Sequence, residues 1–269
     1  MRASVLLALL FSIVHVDHVD LNLQDDEVAF TYFDLPDGEA TLIQNDEKTI
    51  LVNTGSEESR SALFKRLSIY GVKKIDKLVI TNSSAPYTDN ISEVLKRFKV
   101  DTLLTSEAIL KRLDLELPKQ RIQVLKQGQS DKWLSGLKVL ILRETESDTD
   151  EAALVIKFQY GKESVLYMGW ADPEMEKSLE NDARIDCNII KVGDFAIENG
   201  STTSFLHQVN PQVAIIFHRK GKLPNKEILG ELDTVWIDAY RTHQIGTVSI
   251  KLNGESYQIT TIPIEEYKA

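Results

Sequence analysis

From Val28 to Ile262 short β-prone runs alternate with helical stretches in two halves of similar size, and this alternation constrains the fold more than any single motif. Runs rich in Val, Ile, Leu and Thr, bounded by Gly, Pro, Asn or Asp, read as strands; apolar residues recurring at three- and four-residue spacing read as helices. In the first half the expected strands are Val28–Asp34, Ala40–Gln44 and Thr49–Asn53, separated by turns at Pro36-Asp37-Gly38 and Asn45-Asp46-Glu47. Glu57 to Tyr70 follows as a helix with Leu63, Leu67 and Tyr70 on one face, stopped by Gly71. Then come a strand at Lys77–Thr81, a helix at Ile91–Phe98, a strand at Asp101–Thr105 and a helix at Glu107–Leu113.

The second half repeats the order. Strands are expected at Arg121–Leu125, Leu137–Leu142, Ala153–Tyr160 and Ser164–Met168. Helices at Pro173–Leu179, Thr203–Val209 and Asn225–Leu232 alternate with strands at Cys187–Val192, Val213–Phe217 and Val235–Asp238, and a hairpin of Gly246–Leu252 and Tyr257–Ile262 closes the chain. A strand-rich layer carrying helices, present twice, predicts an α/β (α+β) architecture of the αββα kind: two mixed sheets packed face to face with helices outside. The acidic stretch Glu144 to Glu151 reads as a solvated turn, since it lacks the alternating oxygen ligands and central Gly of a calcium loop.

The first residues are a separate matter. Met1-Arg2 and the apolar run Ala3 to Val14 are too short to span a bilayer and have the form of a signal-peptide core. His15-Val16-Asp17-His18-Val19-Asp20 offers no pair of small residues for cleavage. Residues 1–20 are therefore read as a signal peptide or a short membrane-proximal anchor, 21–27 as a linker and 28–269 as one domain. Export to the outer face of the membrane, or secretion, is the expected location, with a cytoplasmic protein whose first strand is buried as the alternative. The repeated His-x-Asp of residues 15–20 reads as solvated linker ahead of a weak metal site, because nothing fixes its geometry.

Charge and cysteine usage narrow the chemistry. With 31 Lys+Arg against 41 Asp+Glu the net charge is −10, which opposes binding to a phosphate backbone. Cys187 is the one cysteine, so no internal disulfide forms and thiolate zinc sites are excluded. It reads as a small buried residue, since no His or Lys stands beside it to activate the thiol.

Several landmarks resemble the metallo-β-lactamase-fold domain of the ComEC-type competence proteins, from about Ala29 to Ile262. Phe33-Asp34-Leu35-Pro36-Asp37-Gly38-Glu39-Ala40-Thr41-Leu42-Ile43 resembles the family's F-L-D-V-G-Q-G-D-A-T-L-I. Lys48 to Gly55 is similar to its K-T-I-L-I-D-T-G, and Gly71 to Thr81 to the run into the metal loop. Near the end, Asn210-Pro211-Gln212-Val213-Ala214-Ile215-Ile216 and Tyr240-Arg241-Thr242 before Gly246 resemble K-P-x-V-A-I-I and Y-R-T…G. The resemblance implies a metal-dependent hydrolase fold, and it assigns a position to each metal ligand. The family's T-H-P-D-A-D-H-I-G-G falls on Thr81 to Asn90, which puts its ligands on Asn82, Ser84, Pro86 and Tyr87. Its bridging Asp falls on Trp170, its His pair on Asp194 and Phe195, and a later His near Leu223-Pro224.

Pro, Phe, Trp and Leu do not ligate a divalent ion, and Asn, Ser and Tyr are poor ligands beside imidazole and carboxylate. Asp194 is the one good donor left. The ion is what brings a bound water to a pKa near ~7, so the implied ancestral zinc or manganese site is expected to be lost and no cofactor is expected. Side chains of Asn82, Tyr87, Asn90, Trp170 and Phe195 then define the old pocket, filled or open. Replacement chemistry has weak candidates in Ser84, Asp89, Asp194, His218 and His243: a Ser84–His218 or Ser84–His243 dyad oriented by Asp89 or Asp194, without a G-x-S-x-G elbow to support it. His207 reads as a helix-edge residue. The first functional expectation is a non-catalytic relative that binds a protein or small molecule, associated with the membrane through its N-terminal segment. The alternative is a hydrolase, phosphodiesterase or nuclease with a rebuilt site, linked to DNA uptake. Nucleic-acid handling without cleavage is disfavoured by the charge, and a role beside an active paralogue is not weighed by one chain.

Overall fold

The N-terminal half builds most of one sheet and the C-terminus completes it. A computed structural model describes residues 18–113, 121–146, 151–180, 182–197 and 199–263. In it β1 (Val28–Tyr32), β2 (Thr41–Gln44), β3 (Thr49–Val52), β4 (Lys74–Val79), β5 (Lys99–Ser106) and β6 (Ile122–Leu125) lie in that order. The hairpin β14 (Thr247–Leu252) and β15 (Tyr257–Ile262) is added outside β1, giving eight strands. The second sheet has seven: β13 (Asp238–Arg241), β12 (Val213–Ile216), β11 (Ile189–Lys191), β10 (Glu163–Met168), β9 (Ala152–Tyr160), β8 (Leu137–Glu146) and β7 (Ser130–Lys132). Both sheets are mixed. Strands β3 to β6 are mutually parallel, as are β10 to β13, and the remaining neighbours are antiparallel.

The sheets meet through aromatic residues. Phe30 of β1 and Trp133 each set an edge against Phe158 of β9, with centroids 5.4 and 5.7 Å apart, and Tyr32 leans on Phe217 at 6.0 Å. Each such fully buried ring is worth roughly 2–3 kcal/mol. Helices α1 (Arg60–Ile69), α3 (Ile91–Arg97) and α4 (Glu107–Arg112) belong to the first sheet, with Leu63, Leu67, Ile91, Val94 and Ile109 buried in its core cluster. On the second sheet α5 (Pro173–Leu179), α6 (Thr203–Val209) and α7 (Lys226–Thr234) bury Met175, Leu179, Phe205, Leu206, Ile228 and Leu232 against Leu166, Ile190, Ala214 and Ile216. The expected arrangement of two mixed sheets with helices is therefore the observed one.

Boundaries differ where local chemistry overrides period. The helix expected from Glu57 begins as a single 3-10 turn, Glu57–Ser59, before α1. Between Thr81 and Ile91 the chain forms a short helix, α2 (Ala85–Thr88), with Pro86 in its first turn, where a missing N–H costs nothing. The last parallel strand begins at Asp238, not Val235, because Trp236 takes a left-handed φ of 60° and turns the chain first. A one-turn helix, α8 (Thr242–Ile245), joins β13 to β14. The acidic stretch read as a turn from Glu144 is strand as far as Glu146, carried there by a bulge between Ile141 and Arg143; 147–150 lie outside the described residues. Val19, in the segment read as leader, and Leu21, in the segment read as linker, pack against the core, and the Val19 N–H donates to Ile69 O at 2.9 Å. Of the leader expected at 1–20, residues 1–17 lie outside the described residues. Cys187 is buried, as expected, and burial pushes its thiol up to about 12.

Candidate functional site

Parallel strands of both sheets deliver their carboxyl ends to one edge, and the polar residues of interest gather there. The β1–β2 loop crosses this edge at Gly38, whose N–H donates to the His218 carbonyl at the end of β12 (3.0 Å). Gly38 holds φ +84°, and a Cβ there would lie 2.2 Å from Pro86 O. Only glycine passes so close to a neighbouring backbone in that conformation. The tight crossing turns the next side chain, Glu39, inward between the sheets.

Glu39 meets Lys191 of β11. The ammonium donates to Glu39 Oε2 at 2.7 Å, and both side chains are 0% exposed. The other oxygen, Oε1, accepts from Asn53 Nδ2 (2.6 Å) and from the Tyr167 hydroxyl (3.2 Å). Tyr167 also meets Thr41 Oγ1 at 3.1 Å, and the Lys191 ammonium lies 4.6 Å from the Tyr167 ring centre. Asn53, at the end of β3 with φ 60°, accepts from the Thr81 N–H at 2.9 Å. Burial works against both charges, raising Glu39 and lowering Lys191, and each partner opposes the other's shift. Six residues from β2, β10, β11, the β1–β2 loop and the ends of β3 and β4 thus make one dry, cross-sheet network. A pair so deep stands only when its remaining hydrogen-bonding sites are met.

Directly beside it lie the positions the sequence singled out. Tyr87 of α2 is buried; its ring packs on Phe195 (centroids 5.4 Å) and lies 5.8 Å from the Lys191 ammonium. Its hydroxyl has no hydrogen-bond partner among the described residues, and burial holds the phenol well above its usual pKa. Asn82 is buried and engaged at both ends: Nδ2 donates to Gly169 O at 2.9 Å, and Oδ1 accepts from Ser84 N (2.8 Å) and Ser84 Oγ (2.9 Å). The Ser84 hydroxyl therefore donates to a neighbouring amide and not to a histidine. Asn90 is buried, donating to Thr54 O (2.9 Å) and Ser56 O (2.7 Å) while accepting from Arg60 Nε (3.1 Å). Asp89 is exposed and accepts from the Glu57 N–H at 2.9 Å, a helix-start bond. Half-buried Trp170 donates its indole N–H to Asp172, which also caps α5 by accepting from Met175 N.

Asp194 and Phe195 follow β11 in an unusual turn. Asp194, Phe195 and Ala196 hold φ of 43°, 56° and 57°, three consecutive left-handed residues that are not glycine. Each costs about 1 kcal/mol or more in that region. The turn is pinned by Asn225 N donating to Ala196 O at 2.7 Å, and by Gly193, where a Cβ would meet the Trp170 carbonyl carbon at 2.6 Å. Phe195 is thereby driven onto Tyr87, while Asp194 is left half-buried at the rim.

His218 and His243, each read as a candidate partner of Ser84, come together with each other. Their rings stack at 3.9 Å between centroids, 13° from parallel. Asp37 binds Arg219 and accepts from the Lys220 N–H at 2.8 Å. Behind them Asp34 faces the buried Arg66 guanidinium at 3.8 Å, and burial pushes its carboxyl up to about 6 despite Arg66 and His243. His207 is exposed on α6.

Among the described residues no group of three or more His, Cys, Asp or Glu side chains is placed to hold a metal ion. Sequence reasoning missed the Glu39–Lys191 pair. Its one signal is a lone Lys in the apolar run Ile189-Ile190-Lys191-Val192, and nothing local names the partner 152 positions away.

Known proteins match this geometry at the level of fold. YhfI of Bacillus subtilis, a metallo-β-lactamase-fold protein, superposes with a TM-score of 0.58 at 12% identity, covering 80% of this chain and 96% of that one. Igni18, a metallo hydrolase of Ignicoccus hospitalis, gives 0.56 at 15%, covering 83% and 98%. A diphosphatase of the PhnP family gives 0.54 at 14%, covering 84% and 98%. The chain has the metallo-β-lactamase fold. In sequence it is similar to ComE operon protein 3 of Bacillus subtilis (strain 168), 24% identical over 199 residues, which are 69% of this chain and 26% of that protein. The chain thus spans about a quarter of the length of the curated relative it matches. No family model matches it.

Proposed function

We propose that this chain is a non-catalytic protein of the metallo-β-lactamase fold, similar to the ComEC type, that works by binding a protein or small molecule at the strand-end edge. The observation that carries the reading is the packing of Tyr87 on Phe195, 5.4 Å between rings, where two histidine ligands of the resembled family would stand. The residues at the ligand positions do not fit a transition metal. Asn82 spends its oxygen on Ser84, Pro86 and Phe195 bring no donor, Trp170 is bound to Asp172, and Asp194 is a single carboxylate. One carboxylate does not hold a catalytic ion against water, so no hydrolytic step is derived through one. The apolar run of residues 3–14 supports export or tethering of the domain to a membrane; among the described residues no helix is long and apolar enough to cross one.

The test is elemental analysis of the purified full chain, paired with phosphodiester and single- and double-stranded DNA hydrolysis assays with added zinc, manganese or iron. The reading expects less than a tenth of an equivalent of any of these metals and no turnover. One or more equivalents of bound metal, with chelator-sensitive hydrolysis that Asp194→Ala abolishes, would establish the rebuilt hydrolase instead.

A further inference from the structure

The stacked histidines are used by nothing described so far, and they sit where the two sheets are tied together. His218 ends β12 in the seven-stranded sheet, and its carbonyl holds the Gly38 N–H of the loop between β1 and β2 in the eight-stranded one. His243 belongs to α8, the one-turn link from β13 back to β14, closed by Gly246 N donating to Thr242 O at 2.9 Å. The stack, 3.9 Å apart and 13° from parallel, therefore joins two of the connections between the sheets. We propose that His218 and His243 form an acid-sensitive latch on this edge: closed while the rings are neutral or share one charge, open when both are protonated.

The groups around the pair decide how it responds to acid. His243 is exposed and His218 half-buried. A proton on His218 is opposed by burial, by a charge on His243 and by the Arg219 guanidinium, and Asp37 favours it. Asp37 is already committed to Arg219 and the Lys220 N–H, and Lys220 in turn to Glu58. Arg66, on α1, adds another positive charge on the far side of Asp34. Asp34 itself gains a proton in the mildly acidic range, which removes its negative charge from beside the pair. Two imidazolium rings face to face, with Asp37 already bound to Arg219 and Asp34 neutral, repel and separate. Their separation frees α8 and loosens the Gly38–His218 bond, opening the edge that carries Glu39, Tyr87 and Asp194.

The latch is independent of what the edge binds and is tested on the full chain without a ligand. NMR follows the two ring Cε1–H signals from neutral to acid pH in the wild type and in His243→Gln, and amide exchange is measured at both ends of the range. His218 should titrate below the ordinary histidine range in the wild type and move up in His243→Gln. Protection of the Gly38 and Gly246 amides, corrected for intrinsic exchange, should fall by about tenfold or more on acidification, a loss of about 1.4 kcal/mol. Identical His218 titration in both proteins, or unchanged protection in the wild type, overturns the proposal; the wild-type exchange decides it even where the variant does not fold.

Discussion

Replacing Lys191 with Met removes the ammonium from the centre of the molecule and keeps the length of its side chain. Glu39 is then buried at 0% exposure with only the Asn53 amide and the Tyr167 hydroxyl to answer its charge. Breaking a buried pair from one side costs about 3–5 kcal/mol, and at roughly 2–4 °C per kcal/mol for a chain of this size the melting point should drop by about 6–20 °C. Acid should rescue part of this loss. With its counter-ion gone, burial raises the Glu39 carboxyl further above its unfolded value. The folded state then prefers the proton, so the penalty is full at neutral pH and shrinks as pH falls toward the ordinary carboxyl range. Removing both charges, in Glu39→Gln with Lys191→Met, leaves no buried ion and should cost less than Lys191→Met alone. Urea unfolding followed by circular dichroism, near pH 7 and near pH 5, measures all three proteins. A loss below ~1 kcal/mol for Lys191→Met, or a double variant as unstable as the single, would show that the pair is not the uncompensated buried charge described above.

Three further perturbations are read the same way. Tyr87→Phe removes a buried hydroxyl without a partner and should be neutral or stabilising by up to ~1 kcal/mol, whereas Tyr167→Phe removes hydrogen bonds to Glu39 and Thr41 and should cost about 1–3 kcal/mol; thermal melts of the two variants compare them directly. Gly38→Ala meets Pro86 O at φ +84° and should cost about 3 kcal/mol or more through strain and displacement of the loop, lowering soluble yield and melting point together. Asp34 has its folded carboxyl raised from 3.8 to about 6, a difference worth about 3 kcal/mol at most. Because the raised group binds its proton more readily when folded, the wild type gains stability from it as pH falls through 6 toward 4. Asp34→Asn should therefore be the more stable protein at pH 7 and lose that advantage near pH 4, as urea midpoints across the range would report.

What can be read in the sequence is whatever local periodicity encodes. The apolar runs of β9 and β10 and the amphipathic spacing of α7 name themselves, because their neighbours in the chain are also their neighbours in the layer. Strand β7, Ser130–Lys132, is three polar residues long and exists only because β8 lies beside it; no period marks it. Period misplaces the start of β13 because a single left-handed residue, Trp236, outweighs the strand propensity of Val235 and Ile237. At the edge, the replaced ligand positions stand out one by one, yet their mutual packing does not. That Tyr87 lies on Phe195, and Glu39 on Lys191, depends on the two sheets closing face to face, which no window of sequence contains. The histidine stack is of the same kind: His218 and His243 are each ordinary beside their chain neighbours.

The cross-sheet pair also orders events during synthesis. A ribosome releases Glu39 long before Lys191, and β1 long before β14, its partner in the ladder from Val28–Leu252 to Tyr32–Val248. Until both have emerged, the first sheet has an unpaired inner strand and an unanswered carboxylate aimed at its core. The N-terminal half is therefore not a folding unit in its own right. A nascent chain halted anywhere before Leu252 should remain accessible to protease and to chaperones, and should pass to the native state only once its last hairpin is free to return to its first strand.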